Sequence, residues 1–142
     1  MKTYKLFIFA AIILVSALSG CKKVESNISG QWGSVLMVNN PTVQIAWTFN
    51  DDGTLTRTYF NSATGDSYTD NSFYTVEKKL TKTFVLIDGS NDFPGYSEVD
   101  GRWQVEKFND ELMKLRRVEI PISDEEYTKD AAYLYREFVK QI

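Results

Sequence analysis

The chain has 142 residues, 16 basic and 19 acidic side chains, no histidine and one cysteine. Triads and dyads built on histidine therefore lack their base, and zinc sites lack their usual side chains. A formal net charge of −3 offers none of the basic surface that nucleic-acid binding needs.

Met1-Lys2-Thr3-Tyr4-Lys5 carries two lysines and no acid, residues 6–15 are all apolar, and Ser16-Ala17 leads into Leu18-Ser19-Gly20-Cys21. A charged start, a short apolar middle and a small-residue exit describe a secretory signal. The apolar run is too short to cross a bilayer, which takes about 20 residues. Leu18-Ser19-Gly20-Cys21 resembles the lipobox of bacterial lipoproteins. The resemblance implies that residues 1–20 are a signal peptide and that Cys21 carries a diacylglyceryl thioether and an acylated amine, with chains such as palmitate. Two or more acyl chains hold a protein firmly where one holds it only marginally. As the sole cysteine, Cys21 has no intramolecular disulfide partner, and it reads as an anchor, not a nucleophile. Lys22 stands where an aspartate retains some lipoproteins at the inner membrane, so the outer membrane is the expected address. Lys22-Lys23-Val24-Glu25 also departs from the acid-rich stretch that accompanies surface export, which favours the periplasmic face.

Without residues 1–20 the chain keeps 14 basic and 19 acidic side chains, a formal charge of −5. That balance gives no reason to expect adhesion to anionic headgroups. Residues 21–27 read as the lipidated cysteine and a short polar tether, whose last six residues reach about 20 Å at most. Residues 28–142 suit one domain with one core.

Residues 31–38 mix β-branched, aromatic and aliphatic side chains and end at the Asn39-Asn40-Pro41 turn. Val43, Ile45, Trp47 and Phe49 alternate with polar or small residues, the period-two signature of a half-buried strand. Asp51-Asp52-Gly53 is a tight turn, and residues 54–60 return as the partner strand. A polar loop is expected over 61–71, then strands over 72–77 and 81–87, a long loop over 88–95, a strand ending at Lys107, and a last strand over 112–119. Seven or eight short strands joined by hairpins predict an antiparallel meander. A meander of this size hides its edges by closing into a barrel or folding into a sandwich, and a barrel of seven or eight strands is the expectation.

The tail reads differently. Ser123-Asp124-Glu125-Glu126 fits a capping box, and Tyr127, Ala131, Leu134, Tyr135, Phe138 and Ile142 fall at helical spacing. The expectation is an amphipathic helix within 123–142, covering the barrel with its apolar face.

Gly30-Gln31-Trp32 resembles the opening motif of the lipocalins. Trp47-Thr48-Phe49-Asn50-Asp51-Asp52-Gly53-Thr54, Arg102-Trp103-Gln104-Val105-Glu106-Lys107 and Leu112-Met113-Lys114-Leu115-Arg116 are similar to segments of small lipocalin-like lipoprotein domains. The resemblance covers about residues 28–120. It implies that Trp32 closes one end of the barrel beneath an arginine from the last strand, Arg116 or Arg117. Parity with Met113 and Leu115 favours Arg117. A short chain with no disulfide and a final helix departs from the family and argues against a large cavity. Trp47, Phe49, Tyr59, Phe84 and Trp103 are expected to point inward, where they either line a ligand pocket or fill it.

No metal, cofactor or catalytic group is expected. Asp51 and Asp52 read as turn residues, Asp124, Glu125 and Glu126 as helix-start residues, and Asp88, Asp92 and Asp100 as solvated loop charges whose spacing fits no calcium loop. Lys78, Lys79 and Lys82 form a basic hairpin, and Phe93 and Tyr96 lie on a long loop that guards a barrel mouth or meets a partner. Two functions compete: a lipid-anchored binder of a small apolar or amphipathic ligand, and a module with a filled barrel that contacts an envelope protein or glycan. Trp32→Ala is expected to lower stability by about 3–5 kcal/mol, as large aromatic truncations in cores do. An unchanged melting temperature removes its closing role.

Overall fold

The structure is a computed structural model that describes residues 28–35, 41–91, 99–123, 126–132 and 134–142. The leader, Leu18-Ser19-Gly20-Cys21, the tether, and Asp92, Phe93, Tyr96, Asp124 and Glu125 lie outside the described residues.

The described residues form nine strands: β1 (Gly30–Ser34), β2 (Val43–Phe49), β3 (Thr54–Asn61), β4 (Asp66–Lys79), β5 (Lys82–Asp88), β6 (Gly101–Phe108), β7 (Leu112–Ser123), β8 (Glu126–Lys129) and β9 (Tyr135–Lys140). Strands β1 to β7 pair antiparallel in chain order, and β9 bonds to both β7 and β1. Eight strands thus close into an antiparallel barrel, with β8 outside the ring on the far half of β7. The turn expected at Asp51-Asp52-Gly53 forms: Gly53 has a φ of 82°, and the Asp52 carboxylate accepts from the Thr54 amide at 2.9 Å and hydroxyl at 2.6 Å. The loop expected over 61–71 is much shorter, because Asn61 already faces Asp66 across the hairpin. Ser67, Thr69 and Asn71 read as loop residues by polarity, yet they are the solvent side of a strand whose other side buries Asp70 and Ser72.

The expected helix within 123–142 is corrected by strands β8 and β9. Lys129 faces Glu119 and Tyr135 faces Arg116, so six residues on one strand answer three on the other. The return strand is broken there by an insertion, which throws Tyr127, Leu134 and Phe138 into an apparent helical period. The physical advantage of the strand is closure. A helix would leave β1 and β7 with open edges, whereas β9 bonds both and places Phe138, fully buried, 4.8 Å from the Trp47 ring centroid.

Gly-x-Trp occurs twice in the folded domain, at Gly30-Gln31-Trp32 and Gly101-Arg102-Trp103, and both copies build the same corner. Each tryptophan is fully buried. Each donates its indole N–H to the carbonyl four residues earlier, Trp32 to Ile28 at 2.8 Å and Trp103 to Val99 at 2.8 Å. Each glycine has a positive φ, 117° at Gly30 and 131° at Gly101, which lets the chain turn over its own indole. The antiparallel meander makes β1 and β6 run in opposite directions, so the corners enter from opposite ends. Trp32 accordingly meets Phe108, the last residue of β6, at 5.7 Å.

The two glycines differ in their surroundings. A Cβ at Gly30 meets nothing closer than Lys140 Cε at 3.6 Å, whereas one at Gly101 falls 2.2 Å from the Glu119 carbonyl oxygen. Both alanine variants are expected to lose about 1–3 kcal/mol to backbone strain. Gly101→Ala should lose a further 1–3 kcal/mol or so to overpacking, measured as the difference between their urea midpoints. Equal midpoints contradict the close β7 crossing.

Candidate functional site

Three of the five expected pocket residues meet inside the barrel. Trp47 lies 6.0 Å edge-on from Trp103 and 6.2 Å from Phe49, whose ring stands 5.0 Å edge-on to Tyr74. These rings occupy the interior at the spacing favoured by aromatic pairs. Tyr59 is half-buried towards the end opposite Gly30 and pairs with Tyr68 at 5.8 Å. Phe84 is a correction. Val85 and Ile87 are the buried residues of β5, so Phe84 and Leu86 face outward. Among the described residues a small cavity of about 20 Å³ lies between Trp47, Arg57, Tyr59, Val99 and Arg136. That is room for one water molecule, which needs about 10–15 Å³.

The same end is sealed by charge. Arg57 is 2% exposed and Asp70 5%, and the guanidinium grips one carboxylate oxygen through Nε at 3.0 Å and Nη2 at 2.7 Å. Arg57 Nη2 also donates to the Asn91 carbonyl at 2.6 Å, and the Asn91 side-chain amide donates to the other Asp70 oxygen at 2.9 Å. Asn91, early in the β5–β6 connection, is thereby held at the mouth of the barrel. Asp100 holds the near end of that connection by accepting from the amides of Gly89 at 3.1 Å and Ser90 at 2.8 Å.

Arg117 faces inward, as parity implied, but the pairing with Trp32 is corrected. Its guanidinium carbon lies 5.7 Å from the Trp103 ring centroid, and the cation over Trp32 is Lys140, at 5.3 Å. Arg117 is bound by Asp130 through a 2.8 Å hydrogen bond. That contact pins the β8–β9 insertion over the second tryptophan corner. Each indole therefore has its own cation, and the last strand supplies the one at Trp32.

A broad concavity lies outside the barrel. A groove of about 540 Å³ separates the outer face of β4 and β5 from the arm made by the end of β7 and by β8. Its floor is two cross-strand pairs, Phe73 with Asp88 and Thr75 with Leu86. Pro121, Ile122 and Tyr127 form the far wall, and Asp100 joins Asp88 as a carboxylate of the lining. Phe73 and Ile122 are 65% and 61% exposed, unusual for large apolar side chains facing one another across a cleft. The arm is propped by Arg102, which is ion-paired to Glu119 and lies 3.6 Å from Glu77, while the Tyr127 ring covers the guanidinium at 5.7 Å. Gly101 lets Glu119 pass at this point, so the tryptophan corner and the groove share one glycine.

Set beside known proteins, the chain matches no family model, no curated protein and no solved structure. Among the described residues no group of three or more histidine, cysteine or acidic side chains is arranged to hold a metal. The groove residues Phe73, Ile122 and Tyr127 escape a sequence reading because each belongs there to another element. The one signal was the adjacent pair Phe73-Tyr74, since neighbours on a strand cannot both face the core.

Burial pushes the Asp70 carboxyl up, but hydrogen bonds from Asn91 and Arg57 and the Arg57 charge outweigh it, and its pKa lies below the ordinary carboxylate value. Asp130 is lowered in the same way: burial raises it, and Arg117 and the Ala132 amide overcome that. A carboxyl depressed in the folded state contributes stability above its unfolded pKa of about 3.9 and loses it as pH falls through the folded value. Stability should therefore drop below about pH 4, and Asp70→Asn should flatten part of that slope in urea titrations. At neutral pH the same variant should cost about 3–5 kcal/mol, because it leaves Arg57 buried without its counter-charge.

Proposed function

We propose that the chain is an exported bacterial lipoprotein, held by acyl chains on Cys21 at the periplasmic face of the outer membrane. Its lipocalin-like barrel acts through the outer groove as an interaction module for an envelope protein or glycan, not as a container. No catalytic role is assigned. The anchor rests on Leu18-Ser19-Gly20-Cys21 after a charged and apolar leader, with no second cysteine in the chain.

The binding mode rests on one contrast. The cavity beside Trp47 and Tyr59 holds about 20 Å³, whereas the groove offers about 540 Å³. A barrel packed with indole and phenyl rings has no space for an apolar ligand unless its core is rebuilt, and cores resist that. The groove combines exposed Phe73 and Ile122 with Tyr127, two carboxylates and the hydroxyls of Thr75 and Ser123. Apolar platforms ringed by a few polar groups are how proteins grip a partner at low cost in ordering. A second reading has a specific observation in its favour, because the groove volume lies within the 300–1,000 Å³ or so typical of small-molecule sites.

Metabolic labelling should place palmitate on the chain and lose it with Cys21→Ser. A photo-crosslinking residue in place of Ile122 should capture a defined envelope component that the same residue at Phe60 does not. Phe73→Ala with Tyr127→Ala should reduce that capture by about tenfold or more, the scale of losing two aromatic contact residues. Native mass spectrometry separates the readings: a stoichiometric small molecule that disappears with Phe73→Ala favours the second.

A further inference from the structure

The end of the barrel at which the described chain begins carries a second surface feature. Gly30 faces Phe49 at the end of β2, so β1 begins beside the Asn50 to Gly53 turn. In an up-and-down barrel successive turns alternate between ends. The β4–β5 hairpin, the β6–β7 turn and Gln141-Ile142 therefore lie at this same end. The Ala63 hairpin, Asp100 and Ser123 lie towards the other.

The β4–β5 hairpin is closed by Lys79 opposite Lys82, with Leu80 and Thr81 between them. Leu80 has a φ of 55°, the sole non-glycine among the described residues with a positive value. A positive φ at the first residue of a two-residue hairpin loop is a position that glycine fills most readily. Leu80 is also 96% exposed. Neither local conformation nor burial within the chain favours leucine there. Lys78, Lys79 and Lys82 around it are all exposed, and none takes part in an ion pair among the described residues. Glu106 of β6 lies beside Lys82 but is ion-paired to Arg116, and the turn acids at this end are Asp51 and Asp52 in one turn and Asp110 and Glu111 in another. Tyr74 lies against Gly53 of the first of these turns, its amide donating to the Gly53 carbonyl. Strand β4 then runs on to Lys79, so the lysine hairpin reaches well past Asp51 and Asp52.

We propose that this hairpin is a membrane-contact tip. Leu80 enters the interfacial layer of the leaflet that holds the Cys21 acyl chains, and Lys78, Lys79 and Lys82 lie on its anionic lipid phosphates. The proposal rests on Cys21 being the anchor. The tether between Cys21 and Ile28 is six residues, at most about 20 Å long, and β1 begins at the same end of the barrel as the hairpin. Tip and acyl chains therefore reach one surface together. The whole chain is acidic, but the hairpin alone carries three positive charges and no acid from Lys78 to Thr83, and attraction to a leaflet is decided within a Debye length of it. Two points of contact fix an orientation that a single acyl anchor leaves free. They turn the groove carboxylates Asp88 and Asp100 away from the leaflet.

The test uses the acylated full-length mature chain in phosphatidylcholine vesicles, with and without phosphatidylglycerol. Acylation consumes the Cys21 thiol, so Leu80→Cys offers a unique site for a polarity-sensitive dye, and Ala63→Cys places the same dye at the opposite end. The dye at position 80 should shift to the blue on phosphatidylglycerol vesicles and the dye at position 63 should not. Replacing Lys78, Lys79 and Lys82 with glutamate should cut the shifted fraction by about tenfold or more, as the loss of three near-surface cations implies, while the protein still floats with the vesicles. Flotation without any shift at position 80 overturns the tip and leaves the anchor standing. Equal shifts at 63 and 80 overturn the orientation. An intact mass without acyl chains, with no flotation, overturns anchor and tip together.

Discussion

Closure by the last strand is the constraint on which the rest of this structure depends. Strand β9 sets Val139 opposite both Gly33 of β1 and Leu112 of β7, so one short strand removes two edges that would otherwise invite pairing with other chains. The same strand drives Phe138 against Trp47 and lays Lys140 over Trp32. The residues that satisfy the backbone are those that complete the core. The barrel is therefore made by its final residues, with pairings between the two ends of the sequence that carry a high entropic cost before any contact rewards them.

Once closed, the barrel has two different seals. At the end where β1 starts, Trp32 packs on Phe108 under a lysine, an apolar plug with a cation outside it. At the other end Trp103 lies under Arg117, and the mouth is filled by Arg57, Asp70 and the incoming Asn91 backbone. Buried ion pairs of this kind contribute little net stability once desolvation is counted. Their value here is positional. The guanidinium of Arg57 donates to the Asp70 carboxylate and to the Asn91 carbonyl in fixed directions, so Asn91 is held at the mouth. Among the described residues, Arg57, Asp70 and Asn91 at the mouth and the rings across the middle enclose a cavity of only about 20 Å³.

Much of the ring was legible in the residues. Strict alternation from Val43 to Phe49 and the Asp51-Asp52-Gly53 turn fixed strands β2 and β3, and short connections implied the closed antiparallel order. What failed did so for identifiable reasons. Thr83 to Ile87 is apolar on both faces, so alternation cannot say whether Phe84 or Val85 is inside. In the tail, an insertion between Lys129 and Tyr135 breaks the period of two, and the residue spacing that remains mimics a helix. Parity gives Arg117 its face but not its indole, because the second Gly-x-Trp at Gly101 carries the same signal as the first. The groove was invisible because it belongs to no element. It exists only where an overlong β7 passes over Gly101 and returns as β8.

The two tryptophan corners also explain why the outer groove and the barrel core are not independent. Gly101 has no side chain because the Glu119 carbonyl occupies its place, and Glu119 in turn holds Arg102, the strut beneath Tyr127. Trp103, two residues on, carries the edge-on contact to Trp47 at the centre of the core. A displacement of β7 at this crossing is felt on one side as a change in groove width and on the other as a loss of packing on an indole that has no spare volume. The groove wall is thus tied through Gly101 and Glu119 to the packed core, and the proposed partner on Phe73 and Ile122 would meet a wall already in place. Preorganisation of that kind spares the ordering cost that a mobile loop incurs on binding, and it comes from filling the barrel instead of leaving it hollow.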